Sequence, residues 1–244
     1  MRLDAYLAEN NVYASRTRAV RAIESGCVKV NGTLAVKASL DVSEHDNIEA
    51  LPDPLAYVSR GALKLEFALS RYNISVKNLT CVDVGASTGG FTEVLLKNGA
   101  DFVYAVDVGT GQLAPSIASN ERVRDLSQTD IRGLDASFFE RKIDFLSCDC
   151  SFISLKKIFP ACHDVLSAGA FAIFLVKPQF EVGRKGLNKK GVVKDDSLRI
   201  SALRDVILSA ESAGFSLCGD YVRSPIEGGD GNVEFIICVQ KTLA

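Results

Sequence analysis

Cys81-Val82-Asp83-Val84-Gly85-Ala86-Ser87-Thr88-Gly89-Gly90-Phe91 is the stretch on which the fold turns. A short apolar run ends in Asp83, a glycine-rich loop follows, and Phe91 to Asn98 has the pattern of a helix. Strand, loop and helix in that order open a doubly wound α/β sheet at the point where such sheets take nucleotide-like ligands. A second apolar run, Phe102 to Val106, ends in Asp107. That is about 20 residues past the loop, where a carboxylate can accept from two ribose hydroxyls.

Outward from this stretch the chain alternates between strand-like and helical segments. Further strand-like runs fall at Val123–Ser127, Phe145–Cys148, Ala170–Val176, Phe215–Tyr221 and Val233–Val239. Arg60 to Tyr72 and Leu198 to Ala213 have helical period. About seven strands with helices between them predict an α/β fold, a Rossmann-like sheet. Ahead of it lies a small α+β unit. Helices are expected at Arg2 to Glu9 and, capped by Ser15, at Arg16 to Glu24. An Asn31-Gly32 turn between two short strands is a hairpin signal, and Asp46 to Ala50 supplies a third strand. Leu51-Pro52-Asp53-Pro54 breaks regular structure, which divides the chain into a unit at 1–52, a linker at 53–59 and a larger domain at 60–244.

With 244 residues, 47% of them hydrophobic, the chain can bury a substantial core. Its net charge of −2 excludes a global polycation, so any nucleic-acid contact must be local. Residues 1–54 carry six Lys/Arg against eight Asp/Glu, yet residues 14–37 carry Arg16, Arg18, Arg21, Lys29 and Lys37 against Glu24 alone. A basic helix beside a basic hairpin can grip phosphates, although a solvated helix face would look similar. The loop Gly183-Arg184-Lys185-Gly186-Leu187-Asn188-Lys189-Lys190-Gly191 is a second basic segment. Arg2 and Arg60 complete the expected nucleic-acid contacts. Seven cysteines without a C-x-x-C pair, and only two histidines, fit neither a zinc cage nor a disulfide framework; free thiols in a reducing cytoplasm are expected, and no metal. The N-terminus lacks the apolar segment of a signal peptide, and the longest apolar run, Ala170 to Val176, is too short to span a bilayer. No feature of the sequence sets an oligomeric state.

A dinucleotide site needs G-x-G-x-x-G so that backbone amides hold a pyrophosphate. Here the order is Gly85-x-x-x-Gly89-Gly90, preceded by Asp83. A carboxylate aimed at the loop repels a pyrophosphate but suits a cofactor with an ammonium group, a ribose and no phosphate. S-adenosyl-L-methionine has that chemistry. Asp83, Gly85, Ser87, Gly89, Gly90, Phe91, Asp107 and Asp149 are the expected cofactor contacts.

Methyl transfer from a sulfonium is an in-line displacement, and a hydroxyl acceptor must lose its proton. Ligands in this fold sit at the carboxyl ends of strands. Asp149 ends one strand, Lys177 ends the next and is followed by Pro178, Glu234 starts the last strand, and Lys64 lies on the helix before the first. Seven apolar residues precede Lys177. Desolvation there, with Lys64 nearby, is expected to lower its pKa toward that of a usable base, while Asp149 and Glu234 orient the pair and limit the shift.

Two resemblances bear on these residues. Arg2-Leu3-Asp4, Leu7, Ser15-Arg16, Ala19, Ile23 and Gly26-Cys27-Val28-Lys29-Val30-Asn31-Gly32 resemble the small RNA-binding fold named after ribosomal protein S-four, over roughly residues 1–50. Residues 55–244 resemble the FtsJ-like ribose methyltransferases, whose hallmark is a Lys-Asp-Lys-Glu tetrad. The matching motifs are Tyr57-Val58-Ser59-Arg60-Gly61, Lys64-Leu65, Asp83-Val84-Gly85, Asp149-Cys150-Ser151-Phe152, Lys177-Pro178-Gln179-Phe180 and Asn232-Val233-Glu234. The whole chain is similar to the TlyA family, also labelled haemolysin A. That resemblance implies methylation of a cytidine ribose 2′-hydroxyl in ribosomal RNA or ribosomal subunits, with S-adenosylmethionine as donor, and it places Asp130 against the adenine amino group. Some relatives carry a basic residue ahead of the linker aromatic, where this chain has Leu55.

Three other readings compete. Base-directed methylation would use Asp149-Cys150-Ser151-Phe152 as an amine-binding motif, but both prolines of that motif are absent. A membrane-active haemolysin finds no span or lytic segment here. A non-catalytic RNA-binding protein with a residual cofactor pocket is the third, set against the expectation that Lys177→Ala abolishes methyl transfer while cofactor binding stays largely intact.

Overall fold

The structure, a computed structural model, describes residues 1–51, 57–228 and 231–243. The expected Pro52-Asp53-Pro54 break and Leu55 lie outside the described residues. In the N-terminal unit, α1 (Leu3–Glu9) and α2 (Arg16–Glu24) precede β1 (Val28–Val30), β2 (Thr33–Leu34) and β3 (Ile48–Ala50). The Ser15 side chain caps α2 by accepting from the Arg18 N–H at 3.3 Å. Asn31 and Gly32 take φ of 51° and 75°, the double left-handed turn that lets Val30 pair with Thr33. The sheet order is β2-β1-β3.

The larger domain places α3 (Ala62–Arg71) before β4 (Thr80–Val84), α4 (Gly90–Lys97), β5 (Phe102–Asp107), α5 (Pro115–Ala118) and β6 (Val123–Ser127). Then come β7 (Ile143–Cys148), α6 (Phe159–Val165), β8 (Leu166–Val176), α7 (Asp196–Ser212), β9 (Phe215–Leu217), β10 (Val222–Arg223) and β11 (Phe235–Lys241). The sheet runs β10-β11-β8-β7-β4-β5-β6, with β9 also paired to β11. β4 to β8 are parallel neighbours, and β11 enters antiparallel beside β8.

All five residues of β4 are buried, as a strand covered on both faces requires. One face packs Val82, Val84, Leu146, Phe174 and Ile237 under α6 and α7; the other packs Cys81, Phe145, Ile173 and Ile236 under α3 and α4. Three details depart from the sequence reading. The expected strand Phe215–Tyr221 is broken around Gly219, whose φ is +76°. β11 starts at Phe235, so Glu234 stands just outside it. Helices α5 and α6 have too few turns to show a clear period.

The two units share an apolar cluster. Leu63 and Ile226 of the larger domain are buried together with Leu3, Leu7, Ile23 and Val28 of the N-terminal unit. Burying two such side chains contributes roughly 3–6 kcal/mol, enough to hold small units together.

Candidate active site

Strand polarity delivers the charged residues to one edge. β7 and β8 are parallel and end at Cys148 and Val176, so Asp149 and Lys177 emerge side by side. β11 runs the other way with Phe235 opposite Val176, so Glu234, the residue before it, arrives at that edge from the opposite direction. Lys64 reaches it from the first turn of α3. The four side chains meet. Lys177 Nζ is 2.6 Å from Asp149 Oδ1 and donates to Ser151 Oγ at 2.9 Å. Lys64 Nζ is 2.6 Å from Glu234 Oε2 and 3.9 Å from Asp149 Oδ2. Gln179 Nε2 donates to Glu234 Oε1 at 3.5 Å. Lys64 and Lys177 are each 7% exposed and Glu234 2%, so the charges are matched largely out of water.

Lys177 corrects one expectation. Burial does disfavour its charge, but the carboxylates of Asp149 and Glu234 outweigh it, and the net shift is upward from an ordinary lysine. Lys64 is committed to Glu234 and does not reverse this.

Beside the tetrad lies a cleft of about 600 Å³, continuous through Gly85, Ser87, Asp149 and Ser151 with a hollow of about 210 Å³ that reaches Lys177. Gly85 has φ +81°, and a Cβ there would lie 3.1 Å from the Asp149 backbone, so the loop and the end of β7 approach as only glycine allows. Asp107 accepts from Ser87 N–H at 2.8 Å and Gly109 N–H at 2.7 Å, which fixes its carboxylate on the cleft wall. Asp130 lines the far end, gripped by Arg132 Nε and Nη2. That pairing, unforeseen from sequence, holds the Asp130 carboxyl below its usual range. The donor set suits a ligand with a ribose and cationic groups: three acids, Asp107, Asp130 and Asp149, line the cleft against one arginine, and the lysine of the adjoining hollow, Lys177, is paired with Asp149.

Seven of the expected cofactor residues line the cleft or the hollow: Gly85, Ser87, Gly90, Phe91, Asp107, Asp130 and Asp149. Asp83 and Gly89 do not. Strand alternation turns Asp83 toward α4, where it is fully buried and accepts from Thr92 Oγ1 at 2.7 Å and Ser147 Oγ at 3.0 Å. Asp83 is therefore enclosed beneath the loop, away from the cleft wall where direct contact with a ligand's ammonium, the role expected for it, would be made. Burial raises its pKa to about 7, against those two hydrogen bonds. Gly89, at φ +92°, turns its Cα toward Leu113 and Ile117.

Sequence reading placed Phe152 in a motif but not among the expected site residues. It lines the cleft at 91% exposure with φ +64°, its ring 5.2 Å from that of Phe180. A bulky residue exposed in the left-handed region is a costly arrangement that points to function.

Among the expected nucleic-acid contacts, Arg2, Arg16, Arg18, Arg21, Arg60, Arg184, Lys185, Lys189 and Lys190 are exposed and Lys29 is half-buried. Arg2 and Arg16 are tied to the buried carboxylate of Asp4, each with a nitrogen 3.0 Å from Oδ2. Where the linker rejoins the fold, Tyr57 donates to Glu66 at 2.6 Å beneath the Lys97 ammonium, and Val58 N–H donates to Glu93 at 2.6 Å. Among the described residues, no group of three or more His, Cys, Asp or Glu is placed to hold a metal ion, and no helix is long and apolar enough to cross a membrane.

Comparison with known proteins shows the family and the fold. Residues 57–241 match the FtsJ-like methyltransferase family and residues 1–48 the S4 domain family. The 16S/23S rRNA (cytidine-2′-O)-methyltransferase TlyA of Mycobacterium tuberculosis is 42% identical over 237 residues, 97% of this chain and 88% of that protein. Hemolysin A of Brachyspira hyodysenteriae is 39% identical over 97% of this chain and 98% of its own length. A solved Streptococcus thermophilus structure that bears the hemolysin name is 40% identical, with a TM-score of 0.76 over 99% of this chain and 88% of that one. The N-methyltransferase NodS of Bradyrhizobium japonicum, solved with S-adenosyl-L-homocysteine, shares the fold at 14% identity and a TM-score of 0.51, over 75% of this chain and 85% of its own.

Proposed function

This chain belongs to the FtsJ-like methyltransferase family, and from that premise we propose that it transfers a methyl group from S-adenosylmethionine to a cytidine ribose 2′-hydroxyl of ribosomal RNA. The observation that carries the reading is the convergence of Lys64, Asp149, Lys177 and Glu234 beside an acid-lined cleft. When bound, the cofactor supplies an electrophilic methyl group. Asp107 takes the ribose hydroxyls and Asp130 the adenine amino group, while the buried charge of Asp83 supports the cationic end from beneath the loop.

Lys177 Nζ accepts the proton of the target hydroxyl. Asp149 Oδ1 and Ser151 Oγ hold that nitrogen at the cleft, and the Lys64–Glu234 pair fixes Asp149 from behind. The upward shift of Lys177 means that only a minority of molecules carry the free base at neutral pH, so the rate rises with pH. Phe152 offers the target nucleobase a stacking face at the lip of the cleft. The S4 domain and the basic loop at 183–191 grip phosphates on either side, fixing register without reading sequence.

Ribosomal subunits incubated with the full-length protein and labelled cofactor, then digested to nucleosides for mass analysis, should yield 2′-O-methylcytidine. Lys177→Ala should lower methyl transfer by at least about a hundredfold, while S-adenosylhomocysteine binding by calorimetry stays near wild type. Label on a base rejects the ribose assignment, and a fully active Lys177→Ala rejects the base.

A further inference from the structure

Asp149 and Lys177 follow strand ends and Lys64 sits on α3, whereas the Glu234 backbone is held by residues that connect β10 to β11. Residues 224–228 and 231–233 form a wall behind it. Ser224 N–H donates to the Glu234 carbonyl at 2.9 Å, and Gly228 N–H to the Asn232 carbonyl at 2.9 Å. A Cβ on Gly228 would collide with Glu234 Oε1, so the wall touches the carboxylate itself.

That wall is pinned from outside at two points. Ile226, 2% exposed, is buried in the apolar cluster of the N-terminal unit, and Ser224 Oγ donates to its carbonyl at 2.7 Å. Asn232, 4% exposed, accepts from Val193 N–H at 3.3 Å and donates to the Gly191 carbonyl at 3.2 Å, which ties the wall to the end of the basic loop. The same apolar cluster contains Leu63, the residue before Lys64. Both partners of the 2.6 Å Lys64–Glu234 pair are thus set by the two elements assigned to gripping RNA.

We propose that Ile226 and Asn232 are positioning residues through which the N-terminal unit and the basic loop align the Lys64–Glu234 pair, so that seating of RNA on those two surfaces governs the methyl-transfer step. The inference rests on the proposed methyltransferase reading. Lys177 faces Asp149, Glu234 and Cys148, with Lys64 on the other oxygen of Asp149, and Glu234 is one of the two carboxylates that raise its pKa. Withdrawing Glu234 therefore lowers that pKa as well as misaligning the site.

The test uses the full-length chain with ribosomal subunits and S-adenosylmethionine. Ile226→Ala and Asn232→Ala should each slow single-turnover transfer at saturating substrates by about tenfold, with RNA and S-adenosylhomocysteine dissociation constants within about twofold of wild type. The pH at half-maximal rate should move down, a displacement that a mere loss of folded enzyme does not produce. Ile226→Val should restore rate and midpoint together. An unchanged rate, a fixed midpoint, or a loss confined to RNA affinity overturns the proposal; if Ile226→Ala fails to fold, Asn232→Ala decides by the same measurements. A wild-type chain that methylates no ribose hydroxyl fails the methyltransferase reading first, and the inference with it.

Discussion

Asp83 shows how one buried carboxylate ties stability to pH. Its folded pKa is raised to about 7 by burial, against an unfolded value near 4. Below about pH 4 the group is protonated in both states. As pH rises through the window from about 4 to 7, the unfolded chain ionises and the fold resists, so the contribution from this residue is lost. Asp83→Asn should remove that loss. Urea unfolding at pH 5 and pH 8 should show a stability drop smaller by a few kcal/mol in the variant than in wild type, and an identical drop would refute the assignment. Cofactor affinity should weaken as the charge is removed. At this scale the sequence identified which residues carry charge at strand ends, because Asp149 and Lys177 directly follow apolar runs. It could not give the balance of charges around Lys177, the turn of Asp83 away from the cleft, or the capture of Asp130 by Arg132. The first and last depend on side chains that fold in from distant or freely rotating positions, and the second on which face of β4 the helix α4 covers.

Loops between elements carry the next level of constraint. Gly85 must adopt φ +81° while passing within a methyl group's reach of the Asp149 backbone. Gly111 adopts φ +56° with nothing within 4 Å of where a Cβ would stand. The pair separates backbone strain from steric crowding. Gly111→Ala should cost about 1–3 kcal/mol of stability at most. Gly85→Ala should add to this a loss of cofactor affinity of tenfold or more, about 1.4 kcal/mol or above, read by calorimetry with S-adenosylhomocysteine. Equal affinities in the two variants would show that the close approach has no bearing on binding. The strand–loop–helix unit was legible because three signals coincide: a buried run, closely spaced glycines and a helical period. The split between β9 and β10 and the short helices α5 and α6 were not, since elements of two to seven residues have too few turns or alternations to declare a period.

For the whole molecule, RNA affinity should come from patches rather than from net charge. Replacing Arg16, Arg18 and Arg21 with glutamine should weaken subunit binding and reduce the slope of log affinity against log salt by roughly one for each phosphate no longer neutralised. An unchanged slope would remove α2 from the interface. Arg16 is held in place by Asp4, so its contribution should survive substitution of Arg18 or Arg21 alone. The Leu51-Pro52-Asp53-Pro54 break led to an expected division into a small and a large unit, but a shared cluster could not be read from it: Leu63 and Ile226 look like ordinary interior residues of the later sequence until the two are brought together. This sharing also bears on how the protein is made. A compartment whose other members end by Leu51, Tyr57 and Leu63 waits for Ile226, so translation must pass more than 160 further residues before it is sealed. A ribosome stalled midway would hold a nascent chain with that compartment open, exposed to chaperones and proteases.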